Sequence, residues 1–285
     1  MEFKVGDIVA RKSYKCDIYF AVYEIDWDKK IAYLKGLDLR IQADAPLRDL
    51  KKINSKELIK HKREMMITKM KCINKIESAR KQEQINLGIQ RGDSKSKYYE
   101  IPGKIVHIDG DKEYLKTCTL TYRQLNLNVV PFFIAEKDQP REVGRIVKEH
   151  SPDILVITGH DGINKESKYY RNSKHFILAV KKARKVEPNK DDLFIFAGAC
   201  QSDYEGVIEA GANFASSPNR VLIHCLDPVI VAQKVAYTPI SKIISIEEVI
   251  ENTITGMDGI GGIESVGKFR LGLPKYKEDS KNERH

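Results

Sequence analysis

Two residues with catalytic chemistry follow two similar apolar segments of the chain. His160 comes after residues 153–159 (DILVITG), and Cys200 comes after residues 193–199 (LFIFAGA). Short apolar runs that close with glycine are typical of buried parallel strands that end in a loop. The carboxyl ends of such strands form the crevice of an open α/β sheet, so we expect the imidazole and the thiol to lie side by side.

A thiol beside an imidazole is the minimum machinery of a cysteine nucleophile. The alternative is that Cys200 is a small buried hydrophobic residue and His160 a solvated loop residue, which is the commoner environment of each residue alone. Gly159 and Gly162 flank the histidine, and Gly198 precedes the cysteine, so both backbones can approach a substrate closely. We therefore predict that His160 and Cys200 form a catalytic pair.

The composition is that of a soluble globular protein of one large domain or two smaller ones. The chain has 285 residues, of which 31% are charged and 41% hydrophobic. It has no apolar run of about 18 residues and no signal-like amino-terminal segment, so we expect a cytoplasmic protein without a membrane partner. The five cysteines include no Cys-x-x-Cys pair. This argues against disulfides and a zinc site, and we expect no metal or cofactor.

The net charge of +9 is concentrated in one segment of the chain. Residues 54–97 hold twelve Lys/Arg and only five Asp/Glu, whereas the region around His160 and Cys200 is nearly balanced. A basic connector is more often a solvated face than a binding groove, so we expect no nucleic-acid partner.

The sequence pattern divides the chain into four parts. Residues 1–53 contain β-branched and aromatic runs that predict a small SH3-like β-barrel. Residues 54–97 predict a basic helical connector, with a helix over 55–87 and an exposed linker over 88–97. Residues 98–274 alternate strands with helices and predict a three-layer α/β domain with a mainly parallel sheet. Residues 275–285 predict a charged, disordered tail.

Five strands and five helices are predicted in the α/β domain. The strands cover 104–108, 129–135, 153–158, 193–197 and 221–226, and the helices cover 113–125, 140–149, 173–186, 228–236 and 246–252. The glycine-rich residues 255–262 lack a phosphate-binding pattern and predict a mobile rim of the cleft. His107, His224 and Cys225 alternate with apolar residues and are predicted to lie in the core.

The motifs around the catalytic pair carry a resemblance to known peptidases. The His-x-Gly and Gly-Ala-Cys motifs resemble those of the caspase-fold cysteine peptidases. The whole chain resembles the YabG family of sporulation-specific proteases more closely, through residues 5–11 (VGDIVAR), 158–162 (TGHDG), 196–202 (FAGACQS) and 259–262 (GIGG). Asp161 departs from the caspase-fold pattern, in which glycine directly follows the histidine.

The resemblance implies a caspase-like fold, a Cys200–His160 dyad without a third residue, and cleavage near arginine. The implied substrates are spore coat and cortex-associated proteins. The implied place is the cytoplasm of the sporulating mother cell, with association with the spore coat as a further expectation.

The expected mechanism has Cys200 attacking the scissile carbonyl as a thiolate, with His160 as the base. A helix that begins near Ser202 and Asp203 would lower the pKa of the thiol. The amide of Cys200 and that of Gly162 or Asp161 are the candidate oxyanion donors.

Arginine at P1 requires a carboxylate in the pocket, because a desolvated guanidinium without a partner is very costly. Asp109 is the first candidate for this substrate-binding carboxylate, since it ends the first predicted strand. Asp111 and Asp227 are the alternatives, and all three also fit helix caps or solvated loop acids.

Two other functions are compatible with the same fold. One is a non-catalytic spore coat scaffold or peptide-binding protein, in which Cys200 has an ordinary thiol pKa. The other is a cysteine amidase of small substrates, which needs a closed pocket where a peptidase needs an open groove.

Overall fold

The computed structural model describes residues 3–86, 98–164 and 169–273. The chain forms an antiparallel sheet, then a long helix, and then a larger α/β unit. The predicted linker over 88–97 and the predicted tail over 275–285 lie outside the described residues.

The first unit, here called the N-terminal sheet, is antiparallel throughout. Its strands are β1 (Ile8–Arg11), β2 (Tyr19–Asp26), β3 (Ile31–Gly36), β4 (Gln42–Pro46) and β5 (Leu50–Lys52), with 3-10 turns at Lys12–Tyr14 and Leu47–Asp49. The strand order is β4-β3-β2-β1-β5, and one face buries Val9, Phe20, Val22 and Leu34. The predicted β module is therefore confirmed, and its SH3-like identity stays a prediction. The runs that form β4 and β5 are too short and too polar to be predicted from periodicity.

Helix α1 (Ser55–Asn86) connects the N-terminal sheet to the rest of the chain. It begins with a reciprocal capping box, in which the Asn54 side chain accepts the amide of Glu57 and the Glu57 carboxylate accepts the amide of Asn54. Most of the helix is exposed, but Ile73 and Ile76 are buried in the core of the α/β unit. The helix therefore packs on that unit along one side only.

The α/β unit alternates strands and helices. Its first half contains β6 (Tyr99–Ile101), β7 (Ile105–Asp109), α2 (Lys112–Gln124), β8 (Val129–Phe133), α3 (Gln139–His150), β9 (Ile154–Thr158), β10 (Ile163–Asn164), β11 (Tyr169–Tyr170) and α4 (Ser173–Val186). Its second half contains β12 (Phe194–Ala197), α5 (Tyr204–Glu209), β13 (Phe214–Ser216), α6 (Asp227–Tyr237), β14 (Ile243–Ile244), α7 (Ile246–Ile250), β15 (Ile260–Gly262), β16 (Ser265–Val266) and β17 (Arg270–Gly272).

The central sheet has the order β15-β13-β12-β9-β7-β8, and β15 is its antiparallel strand. Alternate residues of each strand serve two separate cores. In β9, Ile154 and Val156 pack with α2 and α6, whereas Leu155 and Ile157 pack with α3, α4 and α5. The predicted parallel sheet with helices on both faces is confirmed.

The predicted fifth strand over 221–226 is wrong. The fifth parallel strand is β13, and in the 221–226 segment a single isolated bridge joins His224 to Leu39 of the N-terminal sheet. A three-residue strand gives almost no periodic signal, whereas residues 221–226 are apolar because the N-terminal sheet covers them. The glycine-rich stretch also differs from the predicted mobile rim, since residues 260–262 form the edge strand β15.

Candidate active site

The register of the central sheet brings His160 and Cys200 to the same edge. Ile157 of β9 pairs with Ala197 of β12, and each functional residue lies three positions beyond its paired strand residue. Both side chains are buried, with exposed fractions of 3% for His160 and 0% for Cys200. The strand ends therefore deliver the imidazole and the thiol to equivalent positions of adjacent strands.

The imidazole of His160 is held by Asp111, the residue that caps α2. His160 Nε2 lies 2.7 Å from Asp111 Oδ2, while Asp111 Oδ1 accepts the amides of Glu113 and Tyr114. Burial alone would raise the pKa of Asp111, but hydrogen bonds from His160, Lys35 and the Tyr114 amide lower it well below its usual range. An ionised carboxylate can only accept a hydrogen bond, so Nε2 carries the proton and donates it.

The other ring nitrogen, His160 Nδ1, is therefore the basic one. It is buried and has no hydrogen-bond partner among the described residues. A buried polar atom without a partner is costly and usually marks a functional position. In the neutral ring, Nδ1 is thus the nitrogen that can accept a proton, and it lies at the sheet edge that also carries Cys200.

Further contacts fix the orientation of the imidazole. The amide of His160 donates to Glu136 Oε1 at 2.8 Å, and its carbonyl accepts from Asn172 Nδ2 at 2.8 Å. The Tyr114 ring lies 5.5 Å from the imidazole, measured between centroids. The two hydrogen bonds therefore fix the backbone of His160, and the Tyr114 ring packs beside the imidazole.

Within the described residues, the hydrogen bonds of the Cys200 thiol go to the backbone of Ile223. Sγ accepts the amide of Ile223 at 3.2 Å. Burial raises the pKa of Cys200 to about 12, although the amides of Ile223 and Arg40 favour the thiolate. Helix α5 has its N-cap at Asp203, where the sequence predicted its start, but the predicted lowering of this pKa is wrong, because burial of the thiol outweighs the effect of a helix of six residues.

The candidate oxyanion donors differ in what they already bind. The amide of Gly162 donates to Asp161 Oδ1 at 2.8 Å, and the same carboxylate accepts the amide of Asn172 and the hydroxyl of Ser173. The amides of Cys200 and Asp161 donate to no acceptor in the described parts of the chain. Of the three candidate amides, these two are therefore the ones without an intramolecular acceptor in those ranges.

The first candidate for the specificity residue, Asp109, already binds a guanidinium. Its Oδ2 lies 2.7 Å from Arg40 Nη1 and 2.9 Å from Thr158 Oγ1, and both Asp109 and Arg40 are fully buried. Burial opposes ionisation of Asp109, but Arg40 and His107 lower its pKa to about 2. The loop between β3 and β4 thus places an arginine against the carboxylate that ends β7.

The two alternative carboxylates have other partners. Asp111 binds His160 and also accepts from Lys35 Nζ at 2.7 Å. Asp227 is buried at the start of α6, where Oδ1 accepts the amide of Ile254 and Oδ2 accepts the amide of His224 and the hydroxyl of Thr255. Asp227 therefore ties two loops together, and burial raises its pKa.

Sequence reasoning missed four residues of this site, namely Lys35, Arg40, Tyr114 and Glu136. Lys35 and Arg40 lie about seventy positions before their aspartates, and no local pattern reports such contacts. It also missed that Asp111 binds His160. The available signal was a pair of aspartates, Asp109 and Asp111, at the end of the strand next to that of His160.

The histidines and the cysteine that were predicted to lie in the core are buried in the structure. His107 is fully buried, with Nε2 2.8 Å from Thr158 Oγ1, as predicted for a core residue, and His224 and Cys225 are buried too. Within residues 3–86, 98–164 and 169–273, no cluster of three His, Cys, Asp or Glu could hold a metal ion. None of the helices in these ranges is long and apolar enough to cross a membrane.

Comparison with known proteins places this geometry in one family. The family model described as YabG peptidase U57 matches residues 4–274. The chain is 39% identical to the sporulation-specific protease YabG of Bacillus subtilis (strain 168), over 98% of this chain and 100% of the relative. No solved structure matches the chain. With the family model and a full-length relative in agreement, the chain belongs to the YabG family of peptidases.

Proposed function

We propose that this protein is a cysteine endopeptidase in which Cys200 is the nucleophile, His160 the acid and base, and Asp111 the residue that orients His160. One observation carries the proposal: His160 has one ring nitrogen bound to an ionised carboxylate, and the other is buried with no hydrogen-bond partner in the described part of the chain. This nitrogen lies at the strand end next to that of Cys200. An oriented base beside a nucleophile is the arrangement that covalent acyl transfer requires.

The first half-reaction forms an acyl-enzyme. His160 Nδ1 accepts the proton of the Cys200 thiol while Sγ bonds to the scissile carbonyl carbon. The tetrahedral intermediate collapses by breaking the C–N bond, and the imidazolium returns the proton to the leaving amine. This step releases the fragment that carries the new amino terminus, and it leaves the other fragment bound to Cys200 as a thioester.

The second half-reaction restores the enzyme. His160 Nδ1 accepts a proton from water, the hydroxide bonds to the thioester carbon, and the C–S bond breaks. The sulfur leaves as a thiolate and takes the proton back from the imidazolium. Asp111 stays ionised throughout and stabilises the imidazolium that forms twice in the cycle.

The amides of Cys200 and Asp161 are the preferred oxyanion donors, since neither donates to an acceptor in the described part of the chain. Gly162 is the third candidate. Its amide would first have to leave the Asp161 carboxylate, which also holds Asn172 and Ser173.

The proposed substrate preference is arginine at P1, with Asp109 as its partner. Support comes from Arg40, whose guanidinium satisfies Asp109 within a fully buried pocket. Asp111 is less suited to this role because it binds His160, and Asp227 because its oxygens hold two loops.

Membership of this peptidase family makes the chain a protease, and its similarity to a sporulation-specific protease supports a role in sporulation. We extend this to spore coat and cortex-associated proteins as substrates. The proposed place of action is the cytoplasm of the sporulating mother cell and the assembling spore coat.

The test compares kcat/KM of the full-length wild type with that of Cys200→Ala on fluorogenic peptides that carry Arg, Lys, Asp or Leu at P1. We expect turnover of the arginine peptide that Cys200→Ala abolishes. Cys16→Ala is the matched control, because Cys16 lies in the turn before β2, where its amide bonds to the carbonyl of Arg11. The control should retain the wild-type rate.

Three outcomes would contradict the proposal. Turnover that survives in Cys200→Ala would mean a different nucleophile. No turnover of any peptide by the wild type or by Arg40→Ala, which lacks the side chain that fills the Asp109 pocket, would favour the peptide-binding scaffold. Turnover of small amides alone would favour the amidase.

A further inference from the structure

A short segment of the N-terminal sheet lies along the loop that follows β13. Leu39 forms an antiparallel bridge with His224. The amide of Arg40 donates to the carbonyl of Ile223 at 3.3 Å, and the amide of Cys225 donates to the carbonyl of Asp38 at 2.9 Å. Two backbone hydrogen bonds across an antiparallel bridge are the way in which an exposed edge binds an extended peptide. Residues 38–40 therefore sit on residues 223–225 as a peptide would.

The side chain of Arg40 fills the pocket beside this edge. Nη1 pairs with Asp109 at 2.7 Å, and Nη2 lies 3.4 Å from both Cys118 Sγ and the carbonyl of Cys225. The guanidinium carbon lies 5.2 Å from the centre of the Tyr114 ring. Because the side chain is completely buried, its charge is compensated by Asp109 and not by water.

The same segment covers the nucleophile. Cys200 Sγ binds the amide of Ile223, whose carbonyl binds the amide of Arg40. The amide of Arg40 also lowers the pKa of the Cys200 thiol, against the larger effect of burial. With Arg40 in this position no surface of Cys200 is exposed. Residues 38–40 thus pair with the edge, fill the arginine pocket and cover the nucleophile at the same time.

The chain turns back directly after Arg40. The amide of Ile41 donates to the carbonyl of Leu39 at 2.8 Å, and the carbonyl of Ile41 accepts the amide of Gly36 at 2.9 Å. A peptide that is to be cut must continue in an extended form across the nucleophile, whereas a hydrogen bond from residue i+2 to residue i is a tight γ-turn. The segment is therefore shaped to occupy the site and not to be processed there.

We infer that residues 38–40 are a built-in substrate mimic, which fills the peptide-binding cleft of the protease with Arg40 in the arginine pocket and must leave before an external substrate can bind. The inference rests on the proposed function. It assigns residues 223–225 as the edge that receives the substrate backbone and makes the N-terminal sheet an inhibitory module.

The contacts that hold the segment indicate where release begins. The Tyr114 hydroxyl lies within hydrogen-bonding distance of the carbonyls of Gly36 and Leu39, at 2.5 and 2.6 Å. The carboxylate of Asp38 lies 2.6 Å from His61 Nε2 on α1. A partner or a cut that moves α1 would therefore loosen the segment from one end.

The experiment measures two rates on the full chain: iodoacetamide modification of Cys200, followed by mass spectrometry of its peptide, and kcat/KM for the arginine peptide. Arg40→Ala should raise both rates about tenfold or more over the wild type, because the open state is no longer a minor population. Arg48→Ala is the matched control, since Arg48 is an exposed arginine of the same unit. It should leave both rates unchanged.

A second variant covers the case in which Arg40→Ala does not fold, as judged by circular dichroism. Tyr114→Phe keeps the ring and removes the hydroxyl that contacts two carbonyls near the segment. It should raise the modification rate of Cys200 above that of the wild type, by less than the roughly tenfold increase expected for Arg40→Ala. Wild-type modification rates in the folded variant would overturn the inference.

The two readouts separate this inference from the proposed function. Equal modification rates and equal turnover of the arginine peptide in the wild type and Arg40→Ala would overturn the mimic and leave the protease intact. Faster modification of Cys200 in Arg40→Ala without turnover of any peptide would support a covered thiol and contradict the protease.

Discussion

Two carboxylates lie two positions apart in the sequence, at and just after the end of β7, and they play different roles in the structure. Asp109 and Asp111 each receive a cation from the N-terminal sheet, Arg40 in the first case and Lys35 in the second. The Arg40 pair is fully buried, whereas Lys35 keeps 21% of its side chain exposed. Asp109 holds an arginine in a pocket, and Asp111 holds the imidazole of His160.

The two ion pairs differ in whether water can solvate the charge that remains when one partner is removed. Removing one partner of a buried ion pair leaves an unpaired charge in the core and costs about 3–5 kcal/mol. Removing one partner of a partly exposed pair costs about 1 kcal/mol or less, since water solvates the remaining charge. We therefore expect the Asp109 pair to govern stability and access, and the Asp111 pair to govern chemistry.

The largest expected effect is on catalysis. Asp111→Asn removes the negative charge that fixes the tautomer of His160 and stabilises the imidazolium, so kcat/KM for the arginine peptide should fall roughly 10²- to 10⁴-fold. The pH profile of kcat/KM should change as well, which a loss of helix capping alone would not produce. Asp44→Asn, at an exposed aspartate of β4, should match the wild type. Full activity in folded Asp111→Asn would reduce Asp111 to a helix cap.

The next effect is on stability. Arg40→Ala should lower the free energy of unfolding, measured with urea, by about 3–5 kcal/mol, because it leaves Asp109 charged and buried. Lys35→Ala should lower it by about 1 kcal/mol at most. The double variant Arg40→Met/Asp109→Leu removes both charges and should recover most of the loss. Equal losses of unfolding free energy for Arg40→Ala and Lys35→Ala would show that the buried pair at Asp109 contributes no more to stability than the partly exposed pair at Asp111.

The smallest effect is the pH dependence of that stability. The folded pKa of Asp109 is about 2, below its ordinary value of 3.8. A depressed pKa stabilises the fold above the ordinary value, and the stabilisation disappears as the pH falls towards the folded value. The stability difference between the wild type and Asp109→Asn should therefore shrink by about 2 kcal/mol between about pH 5 and pH 2.

The control for the pH series is Asp28→Asn, at an exposed aspartate of the turn between β2 and β3. Its stability difference from the wild type should stay small at every pH. A difference for Asp109→Asn that is constant with pH would show that Asp109 is not the ionised partner of Arg40.

The sequence predicted those parts of the molecule that depend on local pattern. Strand β9 and helix α4 lie where the periodicity of their apolar residues placed them, and α4 covers the predicted residues 173–186. The glycine that closes each strand run also located His160 and Cys200 at adjacent strand ends. These features follow from residues that are close in the chain.

The sequence did not predict the contacts that close the site. In the sequence, Arg40 is one charged residue among others between two β-strands, and no local pattern indicates that it binds Asp109, 69 positions later. Residues 221–226 were apolar enough to suggest a strand, although their cover is the N-terminal sheet and not a neighbour in the central sheet. Both errors come from packing between units, which a periodic pattern within one unit does not record.

The pairing of β9 with β12 has a consequence for the accuracy of the site. A strand advances about 3.3 Å per residue, so a slip of one position would carry Cys200 that far from His160. The same slip would turn Phe194 and Phe196 from one core to the other, because alternate residues face opposite sides. The buried phenylalanines of β12 therefore hold the strand in its register, and this register sets the spacing between His160 and Cys200.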